Sequence, residues 1–238
     1  MTALNRGVRP STPIEETVLI PTDHGALHGD LRVPAGAFGL VVFAHGTGSS
    51  RHGPRNRNVA RALQERGFGT LLLDLLTVEE ERTESPAEEL HFNIELLADR
   101  VMRASAWARQ NRYTSTLPIG YFGASTGSAA ALVAAARQPE NVRAIISRGG
   151  RPDLAGPYLS KVRAPTLLIV GGNDPVVIRL NEQATERMAA ETKLEIVPGA
   201  THLFEEPGTL EKVTELATDW FIQHMTTPED RETKSARS

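Results

Sequence analysis

The stretch Ile119–Gly120–Tyr121–Phe122–Gly123–Ala124–Ser125–Thr126–Gly127–Ser128–Ala129–Ala130–Ala131–Leu132 decides the fold. Ile119 to Phe122 is a short apolar run, as expected of a strand buried on both faces. The alanine-rich segment from Ser128 to Arg137 favours a tightly packed helix. Between them lies G-x-S-x-G, with Ser125 at its centre. A serine on a sharp strand-to-helix turn needs a strained backbone, and glycines two residues before and after it avoid clashes that side chains would create. Such a turn lifts Ser125 Oγ above the sheet edge and presents the Thr126 N–H and the positive end of a helix to a developing oxyanion. The simpler alternative is a structural glycine turn carrying an incidental serine.

Outward from this turn, short apolar runs alternate with longer amphipathic segments. That pattern predicts an α/β chain with three layers, a mostly parallel twisted sheet carrying helices on both faces. Glu16–Ile20 and Ala26–Val33, joined by Asp23–His24–Gly25, read as an antiparallel edge hairpin with His24 and His28 facing solvent. Leu40–Ala44, Thr70–Asp74, Ile119–Phe122, Val142–Ser147, Thr166–Val170 and Leu194–Val197 read as parallel strands. Helices are expected near Asn56–Arg66, Ala87–Gln110, Ser125–Arg137, Ile178–Ala190 and Thr209–His224. One domain, residues 14–225, is expected between a flexible N-terminal segment, 1–13, and a polar C-terminal tail, 226–238. The connection from Arg148 to Pro165 is too short for a helical cap domain, so the site should be open.

Ligand sites in such sheets form beyond the carboxyl ends of the strands. Two more residues fall there. Asp174 lies in Gly171–Gly172–Asn173–Asp174–Pro175 after one strand, and His202 lies in Gly199–Ala200–Thr201–His202–Leu203–Phe204 after the last. A serine hydroxyl needs a base within reach and a carboxylate to orient that base. The chain order Ser125, Asp174, His202 supplies all three at one edge. Singly, Asp174 could merely cap a helix that has Pro175 at its first position, and His202 could be a surface histidine.

The loop His45–Gly46–Thr47–Gly48–Ser49–Ser50 follows an earlier strand and offers a second oxyanion donor, Thr47 N–H first and Gly46 N–H next, beside that of Thr126. His45 reads as a structural histidine bonding the loop. No glycine pattern of a nucleotide-binding loop is present, and no metal-ligand spacing occurs among the seven histidines. No cofactor and no metal are expected.

Composition narrows the remaining classes. A net charge of −3 gives no electrostatic footprint for nucleic acid, and the absence of cysteine removes disulfides, thiolate metal sites and a cysteine nucleophile. No apolar run approaches a membrane span, and no signal sequence is evident, so a cytoplasmic address without membrane partners is expected. The acidic stretch Thr77–Glu89 reads as a solvated loop leading into a helix, and whether it covers the site is open, as is the oligomeric state.

The motifs HGTGSS, GASTG, GGNDP and GATHLF, in this order, resemble the α/β-hydrolase superfamily from Val18 to about Met225. The capless size is similar to the dienelactone hydrolase branch. Dienelactone hydrolases proper carry a cysteine at the elbow, whereas this chain has Ser125. The resemblance implies cleavage of small carboxylic esters or lactones through an acyl-enzyme on Ser125, with His202 as acid/base and Asp174 orienting it. Thioester or amide cleavage, and a non-catalytic binding protein on the same fold, are the alternatives. Arg51, His52, Arg55 and Arg57 follow the glycine loop, and Arg148 and Arg151 follow another strand. Arg51, His52 and Arg148 are therefore candidate substrate-binding residues for an anionic small molecule.

Overall fold

The computed structural model describes residues 10–82, 89–227 and 230. The elements follow in chain order β1 (Ile14–Thr22), β2 (Gly25–Val33), β3 (Leu40–Ala44), α1 (Pro54–Glu65), β4 (Gly69–Leu73), α2 (Val78–Arg82), α3 (Ile94–Gln110), β5 (Ile119–Ala124), α4 (Thr126–Arg137), β6 (Ala144–Arg148), a 3₁₀ segment (Pro152–Lys161), β7 (Thr166–Gly171), α5 (Pro175–Arg187), β8 (Thr192–Val197) and α6 (Thr209–Met225). One eight-stranded sheet has the order β1-β2-β4-β3-β5-β6-β7-β8. The β1–β2 and β2–β4 pairs are antiparallel, and every later pair is parallel. Strands β3 to β7 are buried throughout, which explains their unbroken apolar reading, whereas the edge strand β8 is mostly half-exposed.

Two apolar layers flank the sheet. Helices α3 and α4, with Ala184 of α5, pack on one face, and α1 and α6 pack on the other. Ten residues of α4 are buried, from Thr126 to Ala135. Alanines let this helix press close to the sheet and so hold the turn that precedes it. The 3₁₀ segment alone occupies the path from β6 to β7, and no cap domain stands there.

Several boundaries move for identifiable reasons. The helix expected over Ala87–Gln110 is interrupted: Glu89 and Leu90 are helical, a turn follows at His91 and Phe92, and α3 starts at Ile94, where the Asn93 side chain accepts from Leu96 N at 3.1 Å and caps it. Helix α5 begins three residues earlier than expected, at Pro175, with Asp174 as its cap. Strand β6 spans Ala144–Arg148 rather than Val142–Ser147, so Arg148 belongs to the strand instead of following it. His28 is half-buried rather than solvent-facing, while His24 is exposed.

The acidic stretch is not simply a solvated loop. Its start forms α2, and Glu80 bonds the buried Arg100 guanidinium at 2.7 Å and accepts from Thr77 N at 2.7 Å. Residues 83–88 of that stretch lie outside the described residues, as do 1–9, 228–229 and 231–238 of the two expected terminal segments. Pro10 is buried, and its carbonyl accepts from Gly36 N at 3.1 Å, so the described part of the first segment is fixed to the domain. Among the described residues, no helix is long and apolar enough to cross a membrane.

Candidate active site

Ser125 sits between β5 and α4 with φ 50° and ψ −121°, a conformation that a non-glycine residue adopts only when its surroundings impose it. Its backbone is held on both sides. Ser125 N donates to Arg148 O at 3.2 Å, and Ser125 O accepts from Arg151 N at 3.2 Å and Ser128 N at 3.1 Å. The flanking glycines are required by close approach. A Cβ on Gly123 would lie 2.4 Å from Ser128 Cα, and one on Gly127 would lie 2.3 Å from both Ala44 O and His45 O. The buried hydroxyls of Ser128 and Ser147, 2.6 Å apart, tie the first turn of α4 to β6.

Asp174 ends the turn after β7 and performs two tasks. One carboxylate oxygen accepts from Val177 N at 3.3 Å and caps α5. The other lies 2.8 Å from His202 Nδ1. The capping alternative and the catalytic reading therefore describe the same residue. Since a carboxylate accepts, Nδ1 carries a proton, and in the neutral ring Nε2 is then the acceptor nitrogen. The two loops are also joined by backbone and amide bonds: Asn173 N donates to Ala200 O at 2.9 Å, and Asn173 Nδ2 donates to Gly199 O at 2.9 Å. Thr201 N donates to Glu206 at 3.1 Å, and hydrogen bonds from Thr201, side chain first, hold that exposed carboxyl below its usual range.

Ser125 and His202 line one cavity of about 160 Å³ with Gly46, Thr47, Ser49, Arg55, Asn56 and Arg148. The glycine loop runs directly over the elbow, since a Cβ on Gly46 would meet Ser125 Cβ at 2.8 Å and Oγ at 3.6 Å. Thr47, the first expected oxyanion donor, is already engaged. Its N–H donates to Thr126 Oγ1 at 3.0 Å, and the two hydroxyls lie 3.1 Å apart. The buried Thr126 side chain thus ties the glycine loop to the first residue of α4.

His45 is buried, with Nε2 accepting from Leu75 N at 3.2 Å and Nδ1 bonding Gly46 O at 2.9 Å. Both nitrogens serve the backbone. Burial pushes its pKa down, so the ring is neutral and holds the glycine loop as expected.

The expected cationic ring separates into unlike parts. Arg51 is committed to carboxylates: its guanidinium pairs with Asp74 and lies 3.5 Å from Asp30, and its backbone N–H bonds Asp74 at 2.7 Å. It does not line the serine cavity. His52 is also outside that cavity, on the wall of a neighbouring outer cavity of about 740 Å³ that shares Ser49, Gly53 and Arg55 with it. His28, Asp74, Val78, Glu81 and His91 complete much of that outer wall. Arg151 is spent on Asp153 at 2.7 and 2.9 Å. Only Arg148 of the three candidates lines the serine cavity. Arg55 and Asn56, at the start of α1, join it; Asn56 reads as one polar residue in a polar run, and nothing in that run marks it as buried. No group of three or more His, Asp or Glu residues that could hold a metal occurs among the described residues.

Comparison with known proteins places this chain in a family. The family model of the dienelactone hydrolase family matches residues 28–227. A dienelactone hydrolase crystal structure from Anabaena variabilis is 53% identical, with a TM-score of 0.87 over 90% of this chain and 99% of that one. Est1E from Butyrivibrio proteoclasticus, at 18% identity, and an α/β serine hydrolase without a lid from Xanthomonas campestris, at 20%, share the fold, each with a TM-score of 0.73. Est1E is covered over 98% of its length by 87% of this chain, and the Xanthomonas protein over 98% by 92%. A Mycobacterium tuberculosis protein described as a proposed phosphoribosyl transferase is 56% identical over 214 residues, which are 90% of this chain and 47% of the relative. The chain thus spans about half the length of the curated relatives it matches. It has the α/β-hydrolase fold without a cap, and it belongs to the dienelactone hydrolase family.

Proposed function

We propose that the chain is a serine hydrolase that cleaves small carboxylic esters or lactones through an acyl-enzyme on Ser125. The observation that carries this reading is the 2.8 Å bond from His202 Nδ1 to Asp174 together with the single cavity shared by His202 and Ser125. Asp174 fixes the imidazole in the tautomer whose Nε2 accepts a proton. Ser125 Oγ attacks the carbonyl carbon as its proton passes to His202, and the carbonyl oxygen becomes an oxyanion. His202 returns the proton to the departing alkoxide, leaving the acyl group esterified to Ser125. Water, deprotonated by the same imidazole, then releases the acid.

The oxyanion lies where the elbow meets the glycine loop. Thr126 N–H, at the N-terminal end of α4, is one donor. On the other side are the amides of Gly46 and Thr47; the Thr47 N–H exchanges its bond to the Thr126 hydroxyl for one to the oxyanion. The outer cavity gives the departing alcohol room beyond the small cavity at the serine. The ferulic acid complex of Est1E illustrates a small acid held by a protein of this fold, and it agrees with a small-molecule substrate here. The longer mycobacterial relatives contain sequence beyond the part they share with this chain, and we assign the hydrolytic chemistry to the shared part.

The test is a panel of an ester, a lactone, a thioester and an anilide with the same acyl group, assayed with the wild type and with Ser125→Ala. Ester and lactone turnover, reduced about 10³-fold or more in the variant, is expected. Equal turnover by the variant, or preference for the anilide or thioester, would overturn the reading.

A further inference from the structure

The sheet ends on two unlike edges. At one, β1 carries Pro21 within the strand and the adjacent charges of Glu15 and Glu16, devices that discourage pairing with another chain. At the other, β8 has no proline among its six residues, Thr192–Val197, and among the described residues no strand pairs with its outer side. An edge of this kind presents a row of unpaired N–H and C=O groups and is a template for a further strand.

The bonds to β7 say which groups face outward. Thr166 N donates to Glu191 O at 2.9 Å and Gly172 N to Val197 O at 2.8 Å, in a parallel register that sets Thr166 beside Thr192 and Gly171 beside Val197. Backbone groups of successive strand residues turn to opposite sides. Glu191, Lys193, Glu195 and Val197 therefore direct theirs at β7, and Thr192, Leu194 and Ile196 direct theirs away from the sheet. Side chains alternate between the two faces in the same rhythm. Val197 belongs to the apolar layer of α1 and α6, so Lys193 and Glu195 share that face, where their charged ends lie 2.7 Å apart. Leu194 and Ile196 lie on the opposite face, the first half-buried and the second 44% exposed.

This pattern is self-complementary about a two-fold axis at Leu194. Around such an axis Leu194 stands opposite its own copy and Thr192 opposite Ile196 of the partner subunit, and the residues of each pair exchange N–H···O bonds through groups that already point outward. Between these pairs, at the closer positions that exchange no hydrogen bond, Lys193 faces Glu195 of the partner subunit and Glu195 faces Lys193 of the partner subunit. Moving the axis by one residue removes the match: centred on Lys193 it opposes two lysines, and centred on Glu195 it opposes two glutamates.

We propose that β8 is a dimer interface, pairing antiparallel with β8 of a second copy of this chain around Leu194, so that two eight-stranded sheets join into one. Apolar surface at Leu194 and Ile196 is covered, and the charges of Lys193 and Glu195 are matched across the seam. Helices α5 and α6 pack beside β8 and widen the contact toward the roughly 1,200–2,000 Å² of a stable interface. Because the two β8 strands run in opposite directions, the carboxyl ends of the two sheets open to opposite sides. No residue of β8 lines the serine cavity or the outer cavity, so each copy keeps its own site open and the pairing does not depend on the reaction carried out there.

The experiment is sedimentation equilibrium on the full chain across a micromolar dilution series. The wild type should sediment at twice the chain mass. Leu194→Pro removes an outward N–H and sets a ring in the seam while leaving the N–H groups that bond β7 in place; it should sediment as a single chain, with the wild-type circular dichroism spectrum and unchanged turnover per chain. Lys193→Glu and Glu195→Lys each oppose like charges twice and should raise the dimer Kd by about 10- to 100-fold. Each also loses its own Lys193–Glu195 bridge, so the decisive arm is an equimolar mixture of the two variants, in which every cross-strand pair is again of opposite charge: a mixed dimer of near wild-type Kd is expected. If Leu194→Pro fails to fold, the two charge variants and their mixture carry the test. A wild type that remains a single chain throughout the series would overturn the proposal, as would a dimer whose Kd is indifferent to the charge reversals. A mixture no tighter than its components would overturn the register at Leu194.

Discussion

His45 and His202 stand at the same edge of the sheet, each just past a parallel strand, yet their rings do opposite things. His45 is buried and gives both nitrogens to backbone groups, Leu75 N–H and Gly46 O. His202 gives one nitrogen to Asp174 and itself lines the serine cavity. Residue type and strand edge are common to both. What separates them is whether the second nitrogen is already committed to the backbone, and on the proposed function that divides a brace from a base.

The largest effect that would sharpen this comparison is loss of the base. His202→Ala should lower ester turnover by about 10³- to 10⁴-fold, measured as kcat, whereas His45→Ala should retain far more activity in whatever fraction folds. Equal losses in folded protein would break the distinction. Asp174→Asn comes next, with about 10²- to 10⁴-fold lower kcat, because an amide in place of the carboxylate favours the wrong imidazole tautomer. It should cost little stability, since an asparagine also caps a helix, and a melting curve beside the kinetics separates the two tasks of this residue.

A smaller effect is expected for the brace. His45→Ala leaves the Leu75 N–H and the Gly46 carbonyl without their ring partner, a loss of about 1–3 kcal/mol in denaturant unfolding. The pH dependence has a definite sign. Burial lowers the His45 pKa in the folded state, so the neutral ring's contribution is intact above about pH 6.5, the unfolded value, and declines as pH falls below it toward the folded pKa. Wild-type stability should therefore fall on acidification through that window more steeply than that of His45→Gln. Parallel curves would contradict a neutral buried ring. The smallest effect is at Thr126→Val, which removes the acceptor of the Thr47 N–H; a change of about 3- to 10-fold, seen in kcat more than KM, is expected if that bond presets the glycine loop.

The elbow and the candidate residues Asp174 and His202 that meet near it were legible in the sequence because each is a local pattern: two glycines around Ser125, Asp174 before Pro175, and His202 in a short loop after a strand. Long side chains were not legible in the same way. Arg51 and Arg148 both read as cations near the site, but the first finds Asp74 and Asp30 from other strands and loops, and the second finds Phe204 and no carboxylate among the described residues. Their partners are set by tertiary placement, which no spacing rule encodes. The same holds for Glu80, which reads as one charge in an acidic run and is committed to buried Arg100. The break before α3 was decided by one side chain, Asn93, capping the helix that follows it.

Labelling with a fluorophosphonate probe tests the central claim most directly, because only an activated serine displaces fluoride from it. The account predicts stoichiometric addition to Ser125 in the wild type, located by mass spectrometry, with labelling strongly slowed in His202→Ala and preserved in folded His45→Gln. Folded wild-type protein left unlabelled, or labelling of Ser125 that is indifferent to His202, would contradict it.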